Sequence, residues 1–252
     1  AKLLCEKSGF ARVFFANSGA EANECAMKRA RKYSFDTYGA GRSTIVTLKN
    51  SFHGRTMETL TATGQDELHQ YFDPFPPGFR YAAANDLDAL KAAIDETVCA
   101  VMMEPGQGEG GVQPLDADFV HKASELCREK DILLIFDEVQ TGVGRTGKLY
   151  AWEHFGGRPD ILTSAKGLGG GLPVGACLCV ERLGAVMGAG PHGSTFGGNP
   201  IVCAGVCEVL SRMEEPLFQQ VRQRGAFLRD TLSKCDEIVE IRGMGLMLGL
   251  VL

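Results

Sequence analysis

Three groups of residues in this chain could do chemistry together. Lys166 follows the apolar run Ile161 to Ser164 and precedes Gly167, Gly169, Gly170 and Gly171. A lysine at a strand end, in backbone that a ligand can approach closely, suits an amine nucleophile that condenses with a carbonyl. Taken alone, it also reads as a solvated loop lysine. Asp137 ends the apolar run Ile132 to Phe136, next to Glu138, where a carboxylate could hold a protonated ring nitrogen. Ser18, Gly19 and Ala20 open a helix behind a strand. Free N–H groups and the helix dipole favour a phosphate at such a point, although Ser18 and Glu21 equally make a plain Ser-x-x-Glu capping box. No one of the three is specific. An amine, a buried carboxylate and a phosphate cradle at three strand ends together describe a pyridoxal phosphate site.

Competing motifs are weaker. Gly106-x-Gly108-x-x-Gly111 and Gly142-x-Gly144-x-x-Gly147 both follow strands, but a dinucleotide fingerprint must open a helix. Pro114 and the lack of an apolar helical period argue against the first, and the aromatic stretch Tyr150, Trp152 and Phe155 against the second. Gly142 to Gly147 and Lys148 resemble a phosphate loop, yet Leu149 stands where Ser or Thr must supply a magnesium ligand. A nucleotide-binding module using Gly142 to Lys148 is therefore only a remote alternative.

The elements that must position these residues alternate. Val13 to Ala16 reads as a strand, and a helix follows from about Ala20 to Tyr33. Thr44 to Leu48, Val98 to Met103, Ile132 to Phe136, Ile161 to Ser164 and Val174 to Val180 read as strands. Asn85 to Glu96 and Asp116 to Lys130 read as helices, each with one apolar face. Asn199 caps a helix with Pro200 in its first turn. That helix is apolar nearly all round, which predicts burial. Pro216 opens a last helix with Leu217, Val221, Leu228 and Leu232 along one side, and Leu246 to Leu252 reads as a strand. The continuous apolar run before Asp137 suits a strand buried on both faces. The alternation predicts an α/β fold with a mainly parallel sheet and helices on both faces. In such sheets ligands bind beyond the carboxyl ends of the strands, which is where Ser18 to Glu21, Glu104 to Gly111, Asp137 to Gln140 and Lys166 to Gly171 fall.

Composition narrows the classes. Thirty-two of the 252 residues are glycine, nearly twice the usual ~7%. Hydrophobic residues make up 44% and charged residues 23%, which excludes a disordered chain. No apolar run approaches the ~18 residues of a membrane span. The net charge is -5 and the basic residues form no stripe, which sets nucleic acid aside. Nine cysteines cannot all pair internally. They show no C-x-x-C and no zinc spacing, so they read as small buried hydrophobes of a reducing, cytoplasmic compartment, with no metal expected. Ala1 lacks an initiator Met and the last strand stops without a turn, so the chain reads as a fragment.

The sequence resembles the class III pyridoxal-phosphate aminotransferases from about Phe10 to Leu250. Six blocks carry the resemblance: Asn17 to Asn23 (NSGAEAN), Ser51 to Thr56 (SFHGRT), Glu104 to Gly111 (EPGQGEGG), Phe136 to Gly147 (FDEVQTGVGRTG), Ser164 to Leu168 (SAKGL) and Ser194 to Pro200 (STFGGNP). The resemblance implies a fold type I architecture. Residues 1–212 would form a cofactor-binding large domain, and residues 213–252 the truncated start of a small C-terminal α+β domain.

It also implies roles. Lys166 would carry the cofactor and later move a proton, and Asp137 would keep the pyridine nitrogen protonated. Gln140 would hydrogen-bond the phenolic oxygen. Phe52 would stack on the ring. Ser18, Gly19 and Ala20 would cradle the phosphate. Glu138 and Val139 belong to the same cofactor-contacting stretch. Thr195 would reach the phosphate of a neighbouring subunit's cofactor, making a homodimer part of the site. Ser194 would lie beside the substrate, Arg55 would grip a substrate carboxylate with its planar fork, and Glu109 would gate a second arginine. His53 lies in one of the blocks without a chemical role of its own.

The implied reaction transfers the ω-amino group of N-acetylornithine to 2-oxoglutarate, a step of arginine biosynthesis. Ornithine, succinylornithine and 4-aminobutyrate aminotransferases are the near alternatives, and a glutamate-semialdehyde aminomutase a distant one. The resemblance also implies that the family extends beyond both ends of this chain, so that the chain alone would be poorly active.

Overall fold

The computed structural model of the protein describes residues 1–252. In chain order the elements are α1 (Lys2–Ser8), β1 (Arg12–Ala16), α2 (Gly19–Tyr38), β2 (Thr44–Leu48), α3 (Met57–Ala62), β3 (Phe79–Ala82), α4 (Leu87–Ala93), β4 (Val98–Met103), β5 (Gly106–Gln107), β6 (Gln113–Pro114), α5 (Ala117–Glu129), β7 (Leu133–Asp137), β8 (Ile161–Ser164), β9 (Gly175–Cys179), α6 (Pro200–Arg212), α7 (Glu215–Leu232), β10 (Glu240–Met244) and β11 (Met247–Val251). Seven strands make one sheet in the order β1-β9-β8-β7-β4-β2-β3. Only β9 runs against its neighbours, so the other six strands share a direction. The reversal brings the start of β9 to the edge where the rest end: Gly175 faces Ala16 and Ala176 faces Ser164.

The continuous apolar strands are explained by cover on both faces. Side chains alternate across a strand. Ala100 and Met102 of β4, with Leu133 and Ile135 of β7, pack against Cys25, Ala26, Met27 and Ala30 of α2. Their neighbours Val101, Met103, Leu134 and Phe136 pack instead with Phe119, Val120 and Ala123 of α5. A third cluster joins Leu162 and Leu178 of the sheet to Leu4, Val202, Val206, Leu210 and Phe218. All nine cysteines are free; Cys25, Cys99, Cys127, Cys177 and Cys179 are buried, whereas Cys207 and Cys235 are exposed. No helix is long and apolar enough to cross a membrane.

Several elements differ from the sequence expectation. α4 ends at Ala93 rather than Glu96, because Asp95 turns the chain: its Oδ1 accepts from Thr97 N at 2.9 Å, and Arg80 caps the Ala93 carbonyl at 3.0 Å. α6 is capped as expected, with Asn199 accepting from Val202 N, but it is not buried all round. It packs on one side of the sheet only, so Val202, Val206 and Leu210 are covered while Ile201 is 75% exposed. On α7 the buried positions are Phe218 and Gly225, and Leu228 is exposed. Gly225 is there because a Cβ would run into the Gly245 backbone of the β10–β11 turn. The Ser18–Glu21 capping box is only half formed. Ser18 Oγ accepts from Glu21 N, but Glu21 Oε2 accepts from Asn17 N and Nδ2 rather than from Ser18 N.

Candidate active site

A cleft of about 540 Å³ opens at the carboxyl edge of the sheet. Most segments that line it leave a strand at that edge, and Gly171 to Val174 lead into the reversed strand β9 there. Ser18, Gly19 and Ala20 follow β1, Phe52 and His53 follow β2, Glu104 and Glu109 follow β4, Val139 and Gln140 follow Asp137 at the end of β7, and Lys166 follows β8. Residues spread over some 150 positions of sequence therefore converge because parallel strands all deliver their next residue to one side.

Asp137 forms the buried floor. Its Oδ2 accepts from Asn23 Nδ2 at 2.8 Å and pairs with His53 Nδ1 at 2.8 Å, while Oδ1 accepts from Val139 N at 3.0 Å. A carboxylate can only accept, so Nδ1 is the protonated nitrogen of His53 opposite it. His53 Nε2 is buried without a partner. Asn23 closes the network: it also donates to His53 O at 2.7 Å and accepts from Thr163 Oγ1 at 2.7 Å. Asn23 and the partnership of His53 with Asp137 were not visible in the sequence. The only signal was that both residues lie in the motif blocks.

Glu104 was likewise missed. It is buried, and its oxygens accept from Phe52 N at 2.8 Å and Gly108 N at 3.2 Å, tying together the two loops that carry Phe52 and Glu109. Burial pushes its carboxyl up to about 7, against the pull of His53. A Cβ at Gly108 would meet the end of the Gln140 side chain. Gln140 Oε1 in turn accepts a hydrogen bond from Lys166 Nζ. Lys166 itself has φ +42°, left-handed backbone that costs a non-glycine residue on the order of 1–3 kcal/mol and tends to persist at functional positions.

The start of α2 meets the requirements of an anion cradle. The amides of Gly19 and Ala20 donate to no protein acceptor, and they sit at the positive end of a 20-residue helix. A Cβ at Gly19 would lie 2.7 Å from Val139 Cγ1, so a larger residue here would have to displace the Val139 side chain. An amine, a donor-ringed carboxylate and unspent N–H groups in one cleft fit the pyridoxal phosphate that the resemblance implies.

Other expected residues lie elsewhere. Glu138, expected to contact the cofactor, turns its side chain away from the cleft, because successive positions on extended backbone point to opposite sides. Its oxygens accept from Thr141 Oγ1, Ala151 N and Trp152 N, so it folds the loop after β7. Burial pushes it up to about 7. Ser194 and Thr195 line a neighbouring depression with Phe14 and His192. Ser194 touches the edge of the site through Asn17 Nδ2 at 3.0 Å, and Thr195 is exposed. Arg55 is exposed at the cleft mouth, 5.7 Å over the Phe52 ring.

The glycine runs are not phosphate loops. In Gly142 to Gly147 the amides of Gly142, Gly144, Arg145 and Gly147 all donate to carbonyls of the same segment and its flanks, and no α-helix follows until α6. The Gly106 to Gly111 run forms the β5–β6 hairpin instead of opening a helix.

Residues 1–252 match the family described as aminotransferase class-III. Acetylornithine aminotransferase of Haemophilus ducreyi is 52% identical over 250 residues, covering 99% of this chain and 64% of that protein. Succinylornithine transaminase of Salmonella paratyphi A is 53% identical over 257 residues, covering 100% of this chain and 63% of that protein. Among solved structures, an ornithine aminotransferase from Toxoplasma gondii, with pyridoxal phosphate at partial occupancy in its active site, superposes with a TM-score of 0.92 at 38% identity, covering 97% of this chain and 60% of that one. The chain thus spans a little under two thirds of these relatives.

Proposed function

The chain belongs to the aminotransferase class-III family, and from that premise we propose that it moves the ω-amino group of N-acetylornithine to 2-oxoglutarate, giving N-acetylglutamate semialdehyde and glutamate. The observation that carries this reading is the meeting of Lys166, Asp137 and the unspent amides of Gly19 and Ala20 in one cleft. The 52% identity to an acetylornithine aminotransferase supports the donor. The 53% identity to a succinylornithine transaminase makes succinylornithine the second candidate.

Pyridoxal phosphate bound here supplies the electron sink that stabilises negative charge on the carbon bearing the amine. The rest is the work of side chains. Gly19 and Ala20, with Ser18, hold the phosphate at the helix terminus. Asp137, ringed by its three donors, would hold a proton on the ring nitrogen. Gln140 would bind the phenolic oxygen, and Phe52 and Val139, which line the same cleft, would hold the ring. Lys166 Nζ would hold the cofactor until the substrate amine displaces it, and the freed amine would then take the proton from the substrate carbon. Arg55 pairs with a substrate carboxylate through its fork, Glu109 gates a second cation, and Ser194 lies beside the substrate.

Thr195, exposed next to Phe196 and Ile201, reaches the site of a second copy in a homodimer. The exposed apolar side chains of Phe196 (72%) and Ile201 support that contact. Residues 1–212 form the cofactor-binding unit, and 213–252 begin a second one, a reading supported by the separate β10–β11 sheet. The enzyme works in the cytoplasm, where free thiols persist.

Borohydride reduction with pyridoxal phosphate, followed by peptide mapping, tests the site. Label on Lys166 is expected, and label on any other lysine overturns the assignment. A panel of N-acetylornithine, succinylornithine, ornithine and 4-aminobutyrate on the intact protein then tests the donor; preference for any but the first rejects the proposed substrate.

A further inference from the structure

Asn23 sits one turn into α2, 1% exposed, with every polar atom of its amide committed. Oδ1 accepts from Thr163 Oγ1 of β8 at 2.7 Å, and Nδ2 donates to His53 O at 2.7 Å and to Asp137 Oδ2 at 2.8 Å. The orientation of this amide is fixed by its neighbours. A backbone carbonyl and a carboxylate can only accept, so turning the amide over would set its oxygen against two acceptors and take a donor from each. The Thr163 hydroxyl, itself fully buried, donates to Oδ1 in this orientation and ties the amide to β8.

Resting on the cofactor reading above, we propose that Asn23 is a positioning residue that ties the ring-nitrogen carboxylate to the helix that holds the phosphate. The amides of Gly19 and Ala20 begin the same helix, and Gly19 lies four residues before Asn23, one turn away on the same side. Asn23 therefore fixes the distance between the two anchor points of the cofactor through one rigid element. It also supplies one of the two side-chain donors on Asp137; His53 supplies the other, on the same oxygen. Removing the amide frees Asp137 from the helix and strips a donor from its carboxylate, the group that would face the ring nitrogen. Arg55, at the cleft mouth, takes no part in this network.

The test uses the intact protein with Asn23→Ala and Thr163→Val. Apo-protein stability is followed by thermal melting, pyridoxal phosphate affinity by fluorescence titration, and the bound cofactor by the pH midpoint of its absorbance change. Asn23→Ala is expected to weaken cofactor binding about tenfold and to displace the absorbance midpoint by at least half a pH unit. Thr163→Val keeps the shape and loses only the hydrogen bond that ties Asn23 to β8, and is expected to give a smaller change in the same direction. If Asn23→Ala does not fold, Thr163→Val alone decides. Unchanged affinity and midpoint in a folded variant overturn the proposal, as does a loss of melting temperature with no spectroscopic change. Failure of the parent protein to bind pyridoxal phosphate at Lys166 is a different outcome: it removes the cofactor reading itself.

Discussion

Asp137 and Glu138 are consecutive carboxylates with opposite duties. One faces the cleft among side-chain donors, and the other is buried beneath the following loop and accepts backbone N–H groups. Burial raises Glu138 from an ordinary 4.5 to about 7. Its carboxyl therefore keeps its proton in the folded chain at a pH where the unfolded chain has released it. The stability this confers is fully present below about 4.5 and is lost as pH rises through about 7, and it amounts to roughly 3 kcal/mol. His154 and His192, lowered by burial, work in the opposite sense around neutrality, so the informative measurement compares variant with parent. Between pH 5 and pH 8 in urea unfolding, the parent is expected to lose stability relative to Glu138→Gln. Parallel pH profiles would show that Glu138 does not titrate in that window. Below about pH 5 Glu138→Gln is expected to be the less stable protein by about 1–3 kcal/mol, since an amide can accept on one oxygen only and leaves a buried N–H unpaired, and this gap closes as the pH rises through about 7.

At the scale of elements, the cleft depends on how closely β1, α2 and β9 approach. A Cβ on Gly175 would overlap the Ser18 backbone, whereas a Cβ on Gly19 would meet only the side chain of Val139. Side chains can change rotamer and backbone cannot. Gly19→Ala is therefore expected to cost about 1 kcal/mol and Gly175→Ala about 3 kcal/mol, the range of overpacking in a filled interior, as read from thermal melts. Equal losses would mean that the strand junction is softer than the geometry indicates. Caps and strand runs were legible along the chain: Ser18, Asn199 with Pro200, and the Ile161 to Ser164 strand all appear where the local pattern placed them. The buried stripe of α7 was not, because a Leu-rich face gives the period of burial but not what packs against it. The contact that decides it comes from the Gly245 turn.

At the scale of the whole molecule, α6 carries the contrast between pattern and assembly. An all-apolar helix ordinarily means burial within the chain, yet Ile201 and Phe196 remain on the surface. A pair of large exposed apolar side chains beside Thr195 suits an interface. Ile201→Asp is expected to shift the proposed dimer toward monomer in sedimentation velocity, and to lower cofactor occupancy if Thr195 serves the second site. A dimer unaffected by Ile201→Asp, with Phe196→Asp equally silent, would place the interface elsewhere.

The amino-acid sequence alone determined the alternation of strands and helices, the strand ends that carry Lys166 and Asp137, and the family blocks, because each is written in residues near one another and in the periods of 2 and 3.6. Tertiary structure alone decided which groups touch. The bond from His53 to Asp137 spans 84 positions and that from Asn23 spans 114. Neither has a local signature, since a buried hydrogen bond is set by the geometry of three separate elements. The same holds for Glu138, whose direction reversed its expected role, and for the Gly142 to Gly147 amides, which are spent on nearby carbonyls. Composition supplies polar groups; only packing assigns their partners, because a buried donor or acceptor must be satisfied wherever the fold has placed it.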